Sequence, residues 1–230
     1  MTRELLVWWR DDDAGPDDPA TNRFADFAKR MGLPVGVAVI PKLLDEETAE
    51  IVIACPHMTV LQHGFSHQNN GPPGGKKIEL GGGIDRSVLI GQLRAGRERL
   101  EAAFGDRLVP IMVPPWNRID PDVAELCARA GWTGLSTYGP RGETGPDRPY
   151  QINTHLDLVD WQGTGQQKPF DVLWQEWLAL RDLGEPIGLL SHHLIMSNED
   201  LDDFARLLRQ IADDGQVRFG SVPHMLEGRR

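Results

Sequence analysis

Short apolar runs alternate with stretches of helical period along most of this chain. Apolar runs stand at residues 4–10 (ELLVWWR), 34–40 (PVGVAVI), 58–62 (MTVLQ), 108–113 (LVPIMV) and 186–191 (PIGLLS). They are too short for helices and are bounded by Gly and Pro, so they read as buried strands. Less regular runs at 132–138, 152–161 and 217–222 extend the series. Helical patterns fall between them at 21–31, 46–53, 85–104, 120–130, 170–183 and 199–212. In the helix from Asp85, Val88, Leu89, Leu93 and Leu100 are expected inward. Strands alternating with helices imply parallel pairing through right-handed crossovers. The expectation is α/β: one domain over 1–230, a distorted (β/α) barrel with about seven parallel strands. A doubly wound open sheet is the alternative, because strand order is not written in one sequence.

Charge and composition exclude several classes of partner. At a formal net charge of −10, the chain lacks the basic face that nucleic acid or an anionic membrane requires. Two cysteines, Cys55 and Cys127, are too few for a disulfide framework and read as buried thiols. The first apolar run is shorter than a signal peptide needs, and no stretch approaches the roughly 20 apolar residues of a membrane helix. No membrane insertion and a cytoplasmic location are therefore expected.

The polar residues are distributed unevenly along the strands. Carboxyl ends carry Asp11, Asp12 and Asp13; His63 and His67; Trp116, Asn117 and Arg118; Asp157, Asp160 and Trp161; His192 and His193. The amino ends carry nothing comparable. In a parallel barrel the carboxyl ends surround one mouth, where the chemistry of such folds is placed. Two histidines four apart share a face if the chain turns helically after Gly64. One carboxylate with two imidazoles makes a three-ligand metal set with positions left open. A second carboxylate beside the ligand can accept a proton, and a histidine across the mouth can donate one. HxxxH alone is a weak signal, and a solvated acidic loop is the plain alternative for the aspartates. The loop at 70–83 is either a lid or a surface excursion.

Taken in order, these residues resemble the polysaccharide deacetylase superfamily, the metal-dependent carbohydrate esterases built on a distorted β/α barrel. The resemblance runs from about Val7 to Leu194 through five short motifs. The first is an Asp-Asp pair, a base followed by a metal ligand. Arg10-Asp11-Asp12-Asp13-Ala14-Gly15 resembles an Arg-x-Asp-Asp-apolar-Gly variant, which makes Asp12 the base and Asp13 the ligand. A shift to Asp11 and Asp12 stays open at this point. The second, His-x-x-x-His, implies His63 and His67 as ligands. The third is normally Arg-x-Pro-aromatic. Here Val113-Pro114-Pro115-Trp116-Asn117-Arg118 lacks its arginine, leaving Arg10 or Arg118 to orient the base. The fourth resembles Asp157-Leu158-Val159-Asp160-Trp161 and implies Asp160 and Trp161 at the substrate, beside Trp116 and Arg118. The fifth, Leu190-Ser191-His192 followed by His193, implies one histidine of the two as general acid.

The resemblance implies a divalent metal, zinc first, with cobalt, nickel and manganese as alternatives. It implies hydrolysis of a C–N amide bond on a small molecule or glycan, with an N-acetylated sugar foremost and a non-sugar amide as a variant. The missing third-motif arginine admits a second class: a member that binds carbohydrate or a partner without turnover. His57, His155 and His224 lack a partner pattern and read as ordinary hydrogen-bonded histidines. Trp8, Trp9, Trp132, Trp174 and Trp177 read as core.

Overall fold

The computed structural model describes residues 4–16, 18–142 and 148–226. Among them nine strands form one sheet, and every pairing is parallel. The strands are β1 (Leu5–Ala14), β2 (Val35–Val39), β3 (Met58–His63), β4 (Leu108–Val113) and β5 (Gly134–Leu135), then β6 (Tyr150–Gln151), β7 (Leu156–Asp157), β8 (Ile187–Ser191) and β9 (Val217–Phe219). Their order is β6-β5-β4-β3-β2-β1-β8-β7, with β9 also against β1.

The run at 152–161, expected as one strand, behaves differently. Its neighbourhood supplies both ends of the sheet order: β6 pairs with β5, and β7 pairs with β8. Thr154 N donates to Thr137 O, and His155 N then donates to Gly188 O. One extended segment thus joins the two edges and curls the sheet into the expected distorted barrel. The strand count exceeds the expected seven because pairing around this segment is divided between β6 and β7 and because β9 adds a short ladder to β1.

Side-chain alternation sets the two layers. Trp8, Ala38, Leu61, Val109, Ile111, Val113 and Ile152 fill the inside of the curl. α7 (Val222–Leu226) closes it with Val222 and Met225, against Leu6. Outside, Trp9 meets Phe24 and Phe27 of α1 (Asp18–Met31) and Phe204 of α6 (Asn198–Ala212), ring centroids 5.1–5.8 Å apart and nearly perpendicular. Edge-on packing of this kind adds about 0.5–1.5 kcal/mol per pair beyond burial.

Helix starts follow local chemistry. Asp45 caps α2 (Glu46–Ile53) through Thr48 N, and Asp85 caps α3 (Arg86–Phe104) through Ser87 N and Val88 N. Ser197 and Asp200 form a reciprocal capping box on α6. Before α4 (Pro121–Arg129), Asp120 makes no such bond; its carboxylate binds Gly82 N and Arg86 instead. In α3, Leu89, Leu93 and Leu100 are buried as expected, whereas Val88 is half exposed, one step off the buried stripe. α5 (Phe170–Leu180) buries Leu173 and Trp177. Cys55 and Cys127 are both buried free thiols. No helix among the described residues is long and apolar enough to cross a membrane.

Candidate metal centre and cleft

β1 carries its pattern through the aspartates. Trp8, Arg10 and Asp12 face inward; Trp9 and Asp11 face the helices. A regular strand would turn Asp13 outward as well, but the ladder to β2 is irregular between Asp11 and Ala14, and Asp13 takes φ 71°. Asp12 and Asp13 therefore both reach the mouth, and Asp11 does not.

Asp11 lies in a buried network behind the strand. It accepts from Ser191 Oγ at 2.5 Å and from His193 N at 3.2 Å, and its Oδ1 is 2.5 Å from His193 Nδ1. Burial pushes its carboxyl above the ordinary range, against hydrogen bonds from His193 and Ser191. Trp9 Nε1 donates to Ser191 Oγ, and Phe24 stacks on His193. His193 is thus on the helix side of β8, away from the mouth. The shifted register of the aspartates finds no geometry here.

Asp13 Oδ1 lies 3.1 Å from His63 Nε2 and 3.2 Å from His67 Nε2. The three ligand atoms are within 4.8 Å of one another. Burial works to raise the Asp13 carboxyl, but hydrogen bonds from both imidazoles outweigh it and hold it well below the usual carboxylate range. His63 Nδ1 donates to Val113 O at 3.0 Å, because a carbonyl can only accept; this aims Nε2 at Asp13.

The chain does not turn helically after Gly64. Gly64 and His67 both adopt positive φ, 55° and 57°, and the segment loops back. Glu79, buried and unforeseen, fixes the loop by accepting from Phe65 N, Ser66 N, Ser66 Oγ and His67 N. A Cβ on Gly64 would strike Glu79 and Pro115. The histidines converge by loop geometry, not by helical spacing.

Asp12 belongs to Arg10, which is fully buried. Arg10 Nη2 donates to Asp12 Oδ2 at 2.9 Å, and its Nε lies 2.8 Å from Oδ1. It also donates to Asn117 Oδ1 at 2.6 Å, Ser136 Oγ at 2.6 Å, Ser136 O at 3.0 Å and Thr137 O at 3.5 Å. Of the two arginines left open by the sequence, Arg10 is therefore the one that holds this carboxylate. Arg118 instead donates to Lys77 O at 3.0 Å.

His192 stands on the far wall, its Nδ1 3.9 Å from Asp157 Oδ1 and its ring edge-on to Trp161. Trp161 Nε1 donates to Asp157 Oδ2 at 3.0 Å. Burial raises the Asp157 carboxyl, opposed by the charge of His192 and by bonds from Val159 and Trp161. Asp160 does not line the cleft. Its carboxylate caps the following turn, accepting from Gly163 N and Thr164 N. The position expected for Asp160 is held by Asp157.

Together Asp12, Asp13, His63, His67, Lys77, Trp116, Asn117, Arg118, Asp157, Trp161 and His192 enclose a cleft of about 450 Å³. Among the described residues, the four non-glycine residues with positive φ are Asp13, His67, Trp116 and Asn117. All four line this cleft. Such backbone states cost about 1–3 kcal/mol each and concentrate at functional sites. A depression of about 690 Å³ lies elsewhere, beside Glu4, Leu5 and Glu185. Of its acids, Glu4 pairs with Arg218 and Glu185 with Arg141.

The donor set suits a divalent metal: one carboxylate and two imidazoles, with the orientation of His63 fixed by a backbone carbonyl. Sequence reasoning missed Glu79 and Lys77. Glu79 sits in a loop without periodicity, and no local pattern marks it.

No protein-family model matches the sequence. Solved structures do match. A protein of Mycobacterium smegmatis assigned as a polysaccharide deacetylase aligns at TM-score 0.75 and 16% identity, over 99% of this chain and 90% of that one. A family 4 acetyl xylan esterase from Clostridium thermocellum, in complex with a cobalt ion, aligns at TM-score 0.61 and 15% identity, over 96% and 90%. A family 4 carbohydrate esterase pseudoenzyme from Bacillus anthracis aligns at TM-score 0.67 and 14% identity, over 98% and 66%. The chain therefore has the polysaccharide deacetylase fold.

Proposed function

We propose that the chain is a metal-dependent hydrolase of a C–N amide bond that removes acetyl from an N-acetylated sugar or glycan precursor. The observation that carries this reading is the grouping of Asp13, His63 and His67 beside Asp12, with His192 on the opposite wall of one cleft. A divalent cation held by Asp13, His63 and His67, zinc first by donor type, would acidify a water and polarise the acyl oxygen. Asp12 takes the proton of the attacking water, with its carboxylate oriented by Arg10. The acyl carbon gains the hydroxyl and the C–N bond breaks. His192 donates a proton to the departing amine, and acetate leaves. Asp157 on the Nδ1 side of His192 leaves Nε2 for the substrate. Trp116 and Trp161 form apolar walls on which a sugar ring can stack.

Acetate release from N-acetylated amino sugars, measured with bound metal, tests the reading. The metal-reconstituted protein should release acetate, and His63→Ala should lose both metal and at least about 10²-fold in rate. A His63→Ala variant that works at the wild-type rate would overturn it.

A second reading, binding without turnover, draws on the absent third-motif arginine and on the pseudoenzyme of like fold. The contact of Arg10 with Asp12 weighs against it, because the base keeps a guanidinium partner.

A further inference from the structure

We propose that Lys77 and Arg118 form an anion-binding rim on the cleft, so that the molecule taken there carries a phosphate or carboxylate besides its acyl group. This rests on the hydrolase reading for the acyl group but not for the anion. Lys77 comes from the loop after β3 and Arg118 from the turn after β4, yet both line the cleft and Arg118 Nη1 donates to Lys77 O at 3.0 Å. Lys77 Nζ lies 5.7 Å from the centroid of the Trp116 ring, which itself lies 4.4 Å from the ring of His67. Lys77 thus shares the Trp116 indole with one of the candidate metal ligands, and Arg118 lines the same cleft.

Charge is what makes this arrangement informative. The carboxylates of the cleft are already engaged: Asp12 by Arg10, Asp13 by His63 and His67, Asp157 by His192 and Trp161. Arg86, Arg97, Arg141 and Arg181 sit against carboxylates, whereas Arg23, Arg99 and Arg107 bond backbone carbonyls away from the cleft. Among the described residues Lys77 and Arg118 form no ion pair; their contacts are the Trp116 ring and a backbone oxygen. A chain of net charge −10 keeps two uncompensated cations at the mouth of one cleft. A divalent metal would add to that local positive potential.

The rim is also held in place. Asn70 N donates to Ile78 O and Asn70 Nδ2 to Glu79 O; Asn69 Oδ1 accepts from Gly71 N and Ile78 N. Leu80 bridges to Ile119 next to Arg118. The loop at 70–83 is therefore a built support that carries Lys77, rather than a loose excursion. A guanidinium fork with a neighbouring ammonium suits an oxyanion with several acceptor oxygens.

The test compares N-acetylglucosamine with two anionic counterparts, N-acetylglucosamine 6-phosphate and N-acetylmuramic acid, on metal-loaded protein. Acetate release gives kcat/KM, and calorimetry gives Kd independently of turnover. The wild type should favour an anionic compound by at least about tenfold in Kd, and the preference should shrink as salt is raised. Lys77→Ala, a surface change that leaves the fold intact, should reduce the anionic-to-neutral ratio, and Lys77→Ala/Arg118→Ala should bring it near unity. The phosphate and carboxylate arms show which anion is used. Binding with preference but no acetate release would keep the rim and overturn the hydrolase reading. Acetate release with equal Kd for neutral and anionic compounds would do the reverse. A double variant that keeps the wild-type ratio, or a wild type that binds none of the three compounds, overturns the rim.

Discussion

Asp11, Asp12 and Asp13 are chemically alike, and their surroundings divide the work among them. Asp11 is sealed behind the sheet with His193 and Ser191, Asp12 is held by Arg10, and Asp13 faces two imidazoles. Asp11→Asn should lower unfolding free energy by about 2–3 kcal/mol, since it breaks a buried charged hydrogen-bond network. It should leave metal content unchanged. Asp13→Asn should do the opposite, holding the fold and losing the metal. Urea unfolding and metal analysis on the two variants separate these outcomes, and loss of metal in Asp11→Asn with retention in Asp13→Asn would reverse the assignment. Arg10→Met strands the Asp12 carboxylate in a buried site, and about 3–5 kcal/mol of destabilisation is expected. Urea midpoints check this as well. The triplet could not be resolved from sequence because its division depends on one residue. The positive φ of Asp13 breaks the alternation that would otherwise send Asp11 and Asp13 the same way.

The element that decides the metal centre is the loop between Gly64 and His67 together with Glu79. It follows β3 directly, and its backbone N–H groups are gathered by one carboxylate. Gly64→Ala should weaken metal affinity by about 10–100-fold, the range for losing support behind a ligand. β3 would remain paired on both sides and the protein folded. Titration with zinc or cobalt measures this, and wild-type affinity in Gly64→Ala would contradict the role given to the loop. HxxxH was legible at once and its geometry was not, since spacing reports helical neighbours whereas these residues meet through two left-handed turns. Glu79 and Lys77 lie in a stretch without periodicity, so nothing local distinguished them. Asp157 and Asp160 were both visible, but the choice between them needed the register of β7 against β8, which is set by distant pairing.

Across the whole molecule the strand–helix alternation carried the fold. Apolar runs at β2, β3, β4 and β8 were legible because both of their faces are covered. The closure was not, because the segment that joins the edges gives only two short ladders. Metal should stabilise this barrel by tying β1 to β3. Without metal, burial opposes protonation of His63, but Asp13 and Asp12 outweigh it and raise its pKa above the ordinary value. That pairing stabilises the metal-free fold below about pH 6.5 and is lost as pH rises through the folded value. Metal needs neutral imidazoles, so its stabilisation grows in the same direction. The gap in Tm between metal-loaded and chelator-treated protein should therefore widen from about pH 6 to pH 8. At a metal concentration of 100 times Kd the stabilisation should reach about 2.7 kcal/mol. A gap that narrows with pH would contradict this. Asp12→Asn separates the proposed base from the metal site of Asp13, His63 and His67 when metal content and acetate release are measured on the same sample. Wild-type metal content with a rate at least about 10²-fold lower is expected. Wild-type acetate release from Asp12→Asn, or wild-type protein that binds no divalent metal, would contradict this assignment.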